Sequence, residues 1–538
     1  MKIRGRYLGI ALGVVGGVLV IAGVIALQSL PGLAERILIE TLEERFQSTI
    51  EVSEIDVSGL APITVGARHV VIRYHGRKDV PPMMTIDRLT ASADLHKQWG
   101  PKWRVSSVRM EGVQICIPAH SHEIGRAEFA RQIRQQFRLP PIEFAEVTAK
   151  NTLLQILPRQ KERKPRSFWI HDVTLRSIGQ NQPAYFHAQL TNPVPQGEID
   201  SEGKFGPWNP GDPGLTPVAA DFHFANANLG QFRGLSGILS STGRYQGVLE
   251  RLDVEGETLT PDFRLSIGGN PVELTTHYVA VVDGRNGDTY LKRVEAHFLQ
   301  TTIIAAGDIV DPRGPAPRRI NLNVTTSKAR AEDLLRLVTK GNSMPLTGAV
   351  KLKAKLDLTA GKSDIADRLA LNAQFDIANA AFTNPDTQER VDALSRRGKG
   401  EPKNGDISGV ISNVRGSLLV GEGQAYFSSL EFTVPGAIVD LKGSYGLHTE
   451  ALDFHGRLEL SAKLSQTTTG VKSALFHVLD PFFKGTTGGS ILPVKITGSR
   501  SNPSFGLDLR RHSKAPSNGE HRLEQLGQPG LLEAPLGH

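Results

Sequence analysis

Apolar and polar residues alternate with a period of two along most of the chain from Ile50 onward. The clearest segments are 350–358, 369–377 and 452–464, where aliphatic residues and Phe interleave mainly with Lys, Asp, Asn, Gln and His. Successive side chains of a strand point to opposite faces, so each segment predicts a strand with one apolar and one polar face. Antiparallel sheets with one solvated face have this pattern, whereas buried parallel strands are continuously apolar.

Weaker patterns fill the rest of the chain. Alternation at 50–57, 86–95 and 113–117 predicts further strands, with a one-residue slip after Val52 that is typical of a β-bulge. Apolar residues three and four apart predict short helices, at 33–46, 123–137, 331–338 and 470–479. The basic run 159–166 predicts a loop, as does 197–217 with its four prolines, and the tail 511–538 reads as disordered.

The amino terminus predicts a membrane anchor. Residues 8–27 hold twelve Leu, Ile or Val and no charge, after Lys2, Arg4 and Arg6. A helix of that length spans a hydrocarbon core of about 30 Å. The basic end is expected in the cytoplasm, which sends the rest across the membrane. A cleaved secretory signal is the competing interpretation, because 24–26 resembles a cleavage site; either interpretation exports the remaining chain.

Composition narrows the class of protein. With 39% hydrophobic and 22% charged residues, the chain is neither wholly disordered nor a polytopic membrane protein. The single Cys116 excludes intrachain disulfides and cysteine-based metal clusters. The charge of +7 and pI of 9.3 are mild for this length, and no aromatic-interleaved basic motif is present, so no nucleic-acid partner is predicted.

Motifs with catalytic chemistry occur only as fragments. Residues 360–363 (AGKS) match the end of a phosphate-binding loop motif. The position of the motif's first glycine is occupied by Leu356, which lies inside a predicted strand. His122-Glu123 begins a zinc-protease pattern whose second histidine position is Arg126. Ser201 and Lys204 have the Ser-x-x-Lys spacing of some hydrolases, but they lie in a segment rich in Gly and Pro and not at the start of a helix. We therefore expect no enzyme: no catalytic residue, no cofactor and no metal site.

A family resemblance emerges near the end of the chain. The segments occur in the order VPGA at 434–437, LKGSY at 441–445, the strand 452–464, FHVLDPFF at 476–483, ILPVKITG at 491–498 and PSFGLDL at 503–509. This order resembles the carboxy-terminal region of the AsmA family of bacterial envelope proteins. The anchor, the helix ending near Phe46 and the strand from Ile50 resemble that family's start. The resemblance covers most of the chain as architecture, but only about 345–510 in motifs.

The resemblance implies an inner-membrane protein with a cytoplasmic amino terminus, a single span and its bulk in the periplasm. It also implies a long β-groove akin to bridge-like lipid-transfer proteins, with links to phospholipid movement and outer-membrane assembly. The expected organisation is a stub 1–7, an anchor 8–28, an amino-terminal AsmA-like region 30–120, a helix and basic loop 121–166, a middle β-region 167–344, a carboxy-terminal AsmA-like region 345–510 and the tail 511–538.

The predicted fold is therefore mainly β: one transmembrane helix followed by a long, curved antiparallel β-sheet groove with a few short helices. Exposing a phospholipid with about 30 chain methylenes to water costs roughly 24 kcal/mol, so such a groove would shield the tails. Phospholipids, the inner membrane and other envelope proteins are the expected partners. The candidate lipid contacts are Val350, Leu352, Leu356, Leu358, Leu371, Phe375, Leu452, Phe454, Leu458 and Leu460.

One alternative stays open. Two sheets of this kind also close on each other as a sandwich, which fills the space between them with side chains. The chain would then be a structural or assembly factor for outer-membrane proteins, without a lipid conduit.

Overall fold

The fold is that of a computed structural model. It describes residues 48–508 except 60–61, 75–80, 83, 94–102, 118–141, 157–165, 180–181, 208–212, 267–269, 285–286, 311–317, 342, 362, 468–488 and 501. The predicted anchor, the tail, most of the basic loop and the helices predicted at 33–46, 123–137 and 470–479 lie outside these residues. In the part that the structure describes, no helix has the length and apolar character needed to cross a bilayer.

Strands dominate the described residues, as predicted. They are β1 Ser48–Glu51, β2 Glu54–Ser58, β3 Ile63–Tyr74, β4 Met84–Ala93, β5 Trp103–Val105, β6 Ser107–Ile117, β7 Ile142–Ile156, β8 Arg166–Ile178, β9 Ala184–Pro193, β10 Gln196–Phe205, β11 Pro217–Asn228, β12 Leu235–Ser236, β13 Ile238–Val248, β14 Arg251–Leu265, β15 Val272–Val282, β16 Thr289–Phe298, β17 Thr301–Val310, β18 Arg319–Lys328, β19 Leu346–Thr359, β20 Leu369–Phe382, β21 Ser412–Gly421, β22 Gln424–Val434, β23 Ala437–Gly446, β24 Ala451–Leu460, β25 Ser490–Ser499 and β26 Asn502–Leu507.

These strands form one large, open sheet whose order follows the chain. Both β1 and β2 pair with β3 at one end, and β26 pairs only with β25 at the other. The two-residue β12 pairs only with β14. At about 4.8 Å per strand, the run from β2 to β26 is roughly 105 Å long. Hydrogen bonding continues through the boundary predicted at residue 344, since β18 pairs with β19.

One junction corrects the expectation of a purely antiparallel sheet. Both β5 and β6 pair with β7 in parallel, whereas the other pairings among the described strands are antiparallel. Parallel neighbours need a long return connection instead of a hairpin, and the 24 residues of 118–141 supply it. The sheet is therefore mixed.

Three α-helices occur in the described residues: α1 Ala331–Val338, α2 Ile365–Arg368 and α3 Pro385–Gly398. The prediction for α1 is confirmed to the residue. Helix α3 was not predicted, although Asn384-Pro385 is a helix-start signal: the Asn384 side chain accepts from the Thr387 N–H, and Pro385 occupies the first turn. Its few apolar residues gave little helical periodicity.

The connections between strands leave the sheet at two opposite long sides. The β18–β19 and β20–β21 connections, which contain α1 and α3, leave from one side, which we call the helix side. The opposite side, the hairpin side, carries tight connections such as Glu422-Gly423 and α2. Both larger helices pack on the same face of the sheet: α1 against Val350 and α3 against Val434 and Leu460.

Three local predictions were wrong. The segment 197–217 holds most of β10, because its glycines fit the pleat and its prolines fall after Phe205 or at the start of β11. The strand predicted to reach residue 464 ends at Leu460, and a 3-10 turn begins at Leu464. The slip after Val52 is a break between two strands that share β3 as their neighbour, instead of a bulge within one strand.

The first strands contain the most tightly packed core. Apolar side chains of β3, β4, β6 and β7 are almost fully buried, including Leu89 at 0% and Met110 at 1% exposure. Partly buried residues of β8, Val173 and Leu175, complete this cluster. The core is therefore concentrated at the amino-terminal end of the sheet, and smaller clusters lie under α1 and α3.

Replacing the fully buried Leu89 with Ala should lower the free energy of local unfolding of β4 by about 2–5 kcal/mol, because a cavity remains. Leu356→Ala, at a half-buried position of β19, should cost only about 1 kcal/mol. Hydrogen exchange of the β4 and β19 peptides measures both values. Equal costs would contradict the difference in packing between the two regions.

Candidate functional site: the apolar face

The apolar side chains of the strands line up across the whole sheet. Residues that pair directly share a face, so the registers can be followed from β2 to β26. One such line, the central row, takes one residue from each of 23 strands and contains no charged residue. It consists of Ile55, Ala67, Leu89, Met110, Ala149, Val173, Ala188, Ser201, Phe222, Gly243, Gly256, Tyr278, Val294, Ala305, Val324, Ala354, Ala373, Leu418, Phe427, Gly443, Phe454, Ile496 and Phe505.

A second uncharged row runs beside it on the hairpin side. It begins at Val57 and Val65, passes through Leu322, Leu356 and Leu371, and ends at Pro503. On the helix side a third row includes Leu352, paired with Phe375, and then Gly416 and Leu430. Together these rows make one continuous surface, the apolar face.

All ten predicted lipid contacts lie on the apolar face. Phe454 belongs to the central row, while Leu356, Leu371 and Leu452 belong to the second row. The others are Val350, Leu352, Leu358, Phe375, Leu458 and Leu460, and they occupy flanking positions on β19, β20 and β24. The structure thus brings together residues that are 110 positions apart in sequence, from Val350 to Leu460.

Burial along the apolar face changes between its two ends. In β3, β4, β6 and β7 the central row is 0–2% exposed, as in a packed core. From β16 to β22 most of its members are only half-buried, and in β26 Phe505 is 60% exposed. Because the sequence pattern is the same, the difference lies in what covers the face. The face is closed at the amino-terminal end and open over much of the remainder.

Three predicted contacts are less accessible than the prediction assumed. Val350 is 7% exposed because α1 packs on it, and Leu460 is 6% exposed because α3 packs there. Phe454, at 6%, lies against the ring of Phe427, with centroids 5.4 Å apart. The other seven predicted contacts are half-buried. Leu356, Leu358, Leu371 and Leu452 lie toward the hairpin side, and Leu352, Phe375 and Leu458 lie toward the helix side.

Aromatic rings on the apolar face lie flat over glycines of the neighbouring strand. A Cβ added to Gly416 would come within 2.9 Å of the Phe375 ring, and one on Gly243 within 2.9 Å of the Phe222 ring. The hydroxyl of Tyr278 would be 2.8 Å from a Cβ on Gly256. Because rings occupy the space that side chains would fill, they do not project from the sheet. The open part of the face is consequently shallow.

Two pairs of hydroxyl groups on this face satisfy one another. Ser201 Oγ donates to the Asp221 carbonyl at 2.8 Å, so the Tyr245 hydroxyl, 3.0 Å away, donates to Ser201. Ser241 and Tyr278 repeat the arrangement on β13 and β15, with Ser241 donating to Glu257. Burial raises the pKa of both tyrosines, which keeps them neutral. These polar atoms therefore add little polarity to the surface.

The face of the sheet opposite to the apolar face is charged. Cross-strand ion pairs cover it from end to end, for example Arg68–Glu54 at 3.0 Å, Arg244–Glu255 at 2.8 Å and Arg457–Asp440 at 3.0 Å. Exposed pairs of this kind contribute about 0–1 kcal/mol each, so their main consequence is solubility of this face. We call this surface the charged face.

A cavity of about 1230 Å³ crosses β18 to β25 on the charged face. Side chains of Lys351, Lys353, Arg415 and Arg457 line it, and the apolar-face residues between them contribute backbone, as at Gly416. A smaller cavity of about 520 Å³ lies beside Tyr185 on the same face. Neither belongs to the predicted apolar groove, and no pattern in the sequence indicates either cavity.

On the charged face, His455 of β24 is hydrogen-bonded to Asp508, the residue that follows the last strand, β26. Its Nδ1 is 2.6 Å from Asp508 Oδ2, and its Nε2 is 3.1 Å from Asp453 Oδ1. The hydrogen bond with Asp508 raises the pKa of His455 above its ordinary value, opposed by burial and supported by Asp453. Lys442 and Lys495 pair with His455 from the adjacent strands, and Arg457 follows it on β24. Both ring nitrogens are thus occupied.

No cluster of three or more His, Cys, Asp or Glu in the described residues is arranged to hold a metal ion. Comparisons with protein-family models, with curated proteins and with solved structures returned no match to this chain. The candidate site is accordingly defined by its own geometry: an uncharged surface that crosses the whole sheet and is open over much of its length.

Replacing His455 with Gln should destabilise β26 at low pH and have little effect at high pH. The folded pKa is raised, so the stabilisation is fully present below the unfolded value of about 6.5 and is lost as pH rises through the folded pKa. Hydrogen exchange of peptide 502–508 in wild type and variant, each pair compared at pH 5.5 and pH 9, measures this. An equal difference at both pH values would show that the imidazolium charge is not responsible.

Proposed function

We propose that this chain is an inner-membrane-anchored periplasmic protein of the AsmA type that shields phospholipid tails and supports outer-membrane lipid transport and envelope biogenesis. The tails would lie on the apolar face, along a curved groove formed by the sheet. The observation that carries the proposal is the central row, which crosses 23 strands without a charge. The sequence resemblance to the AsmA family and the predicted anchor at 8–28 support it.

The energetics favour a ligand with long hydrocarbon chains. Each methylene moved from water to an apolar surface gains about 0.8 kcal/mol, so two acyl chains contribute most of the affinity. An acyl chain lying over a charged side chain would remove water from that charge, at a cost of several kcal/mol. Neither the central row nor the second row contains a charged residue. The flat rings of Phe222 and Phe375 leave room for a chain to lie on the sheet.

The open stretch also fits an extended ligand path. From β8 to β26 the central row and the second row continue without a charged side chain, over roughly 80 Å at the usual strand spacing, and the open part from β16 to β22 lies within this length. The proposed mechanism is passive: the surface lowers the cost of exposing the tails, and the direction of movement comes from elsewhere. The sequence contains no complete nucleotide-binding motif to drive it.

The alternative is a structural or assembly factor for outer-membrane proteins. Its supporting observation is the packed block of β3, β4, β6 and β7, where the apolar face is filled by side chains. Such a block has no space for lipid and is a stable body for docking other proteins. The two proposals differ in what contacts the open part of the face from β16 to β22.

Replacing Leu356 with Arg should reduce bound phospholipid to about half of the wild-type amount or less, because the charge lies between Leu322 and Leu371 in the second row. Native mass spectrometry of the full-length protein, released from membranes in mild detergent, measures lipid per chain. Lys355→Glu changes a charge one residue away on the opposite face and is the matched control, expected to leave the lipid load unchanged.

A loss of folding in Leu356→Arg, with unchanged Lys355→Glu, would favour the packed alternative, because a half-buried surface position tolerates a charge better than a core does. Circular dichroism of both variants separates that outcome from a specific loss of lipid. Wild-type protein that carries no phospholipid would contradict the proposed function directly.

Photocrosslinkers at Leu352 and Leu371 should yield lipid adducts in cells, because both side chains are half-exposed on the open part of the apolar face. The same probe at Lys353, on the charged face, should yield none. Mass spectrometry of the crosslinked species identifies the adducts. Protein adducts at Leu352 and Leu371 without lipid would support the scaffold alternative.

A further inference from the structure

The cavity on the charged face has no part in lipid shielding, and its walls differ in charge. One wall contains Lys351, Asp376, Arg415, Glu431, Asp440 and Arg457. In this wall the acids have cationic neighbours: Arg415 binds Glu431, and Arg457 Nε donates to Asp440 at 3.0 Å. This wall is largely neutral because its charges compensate one another.

The other wall has no acid among its lining residues, and the two carboxylates next to it, Asp508 and Asp453, are hydrogen-bonded to His455. It consists of Lys353, Gln374, Ser417, Ser429, Lys442 and His455. Within the described residues, neither Lys353 nor Lys442 has a carboxylate within ion-pair distance, and Lys495 extends the wall next to His455. Overall the cavity is lined by five Lys or Arg against three Asp or Glu. Its uncompensated charge is therefore positive and lies along one wall.

The dimensions of the cavity suit an extended chain. It crosses eight strands, which is about 34 Å at the usual strand spacing and matches roughly ten residues of extended peptide. The Gln374 amide and the Ser417 and Ser429 hydroxyls can donate to and accept from a peptide main chain. Among Phe, Tyr and Trp, only Phe375 lines the cavity, and its ring is directed toward Gly416 on the apolar face, so no ring of these three types is available to stack a base or a sugar.

We propose that this cavity is a docking site for an extended acidic segment of a partner protein, held by the Lys353–Lys442 wall. Charge complementarity selects the partner, and side-chain amides and hydroxyls hold its main chain. The site lies on the face opposite to the proposed lipid surface, so a partner and a lipid can be bound together. The inference does not depend on the proposed function.

The test uses the purified full-length chain in nonionic detergent and a fluorescein-labelled decaglutamate peptide, followed by anisotropy. Saturable binding that weakens with added salt is expected. Lys353→Glu should weaken it about tenfold, because an attraction becomes a repulsion in the acid-free wall. Lys355→Glu makes the same change two residues along the same face but outside the cavity, and should weaken binding by about twofold at most.

Other results would overturn the proposal. Absence of saturable binding, or equal weakening by Lys353→Glu and Lys355→Glu, would mean that only general surface charge is measured. Tighter binding of heparin or of a single-stranded oligonucleotide than of decaglutamate would assign the cavity to another class of polyanion. Circular dichroism shows whether both variants keep the fold, and a Lys353→Gln variant with intermediate affinity confirms the charge dependence.

Discussion

Cross-strand register is the constraint on which this structure depends. Paired residues share a face, so an apolar face is maintained over 23 strands only if each strand keeps the parity of the preceding one. A slip of one residue in any pairing would transfer charged side chains to the apolar face of that strand and apolar ones to the charged face. The ion pairs on the charged face and the uncharged rows on the apolar face both result from this single condition.

Bulges preserve that condition where the sequence period changes. Phe427 and Leu430 are three residues apart, yet both lie on the apolar face, because the register shifts between them. Ile377 and Ala380 do the same on β20, and Asn379 between them adopts a positive φ of 53°, a conformation that Asn tolerates better than most residues. The extra residue is absorbed locally, and the rows continue across the bulged strand.

Local sequence predicted the elements far better than their arrangement. Strict alternation placed strands at 350–358 and 369–377, and the spacing of Leu334, Leu335 and Val338 gave α1 to the residue. Helix α3 was missed because its stability comes from the Asn384 cap and from packing of Val391, which periodicity does not record. Likewise the central row requires pairing partners such as Gly443 and Phe454, and no single strand contains that information.

Whether the apolar face is covered was equally inaccessible from local pattern. Strands β4 and β19 both alternate, but Leu89 is fully buried and Leu356 is half-buried. On the helix side, α1 and α3 cover the ends of β19 and of β22 to β24, and on the hairpin side the Ile365 N–H of α2 donates to the Arg233 carbonyl at 3.2 Å. In the proposed function, acyl chains would therefore meet the face between these covered ends. An acyl chain that lies down sideways on the face leaves water one segment at a time, so its full length is never exposed to water at once. Such a chain does not need to be threaded from one end of the sheet.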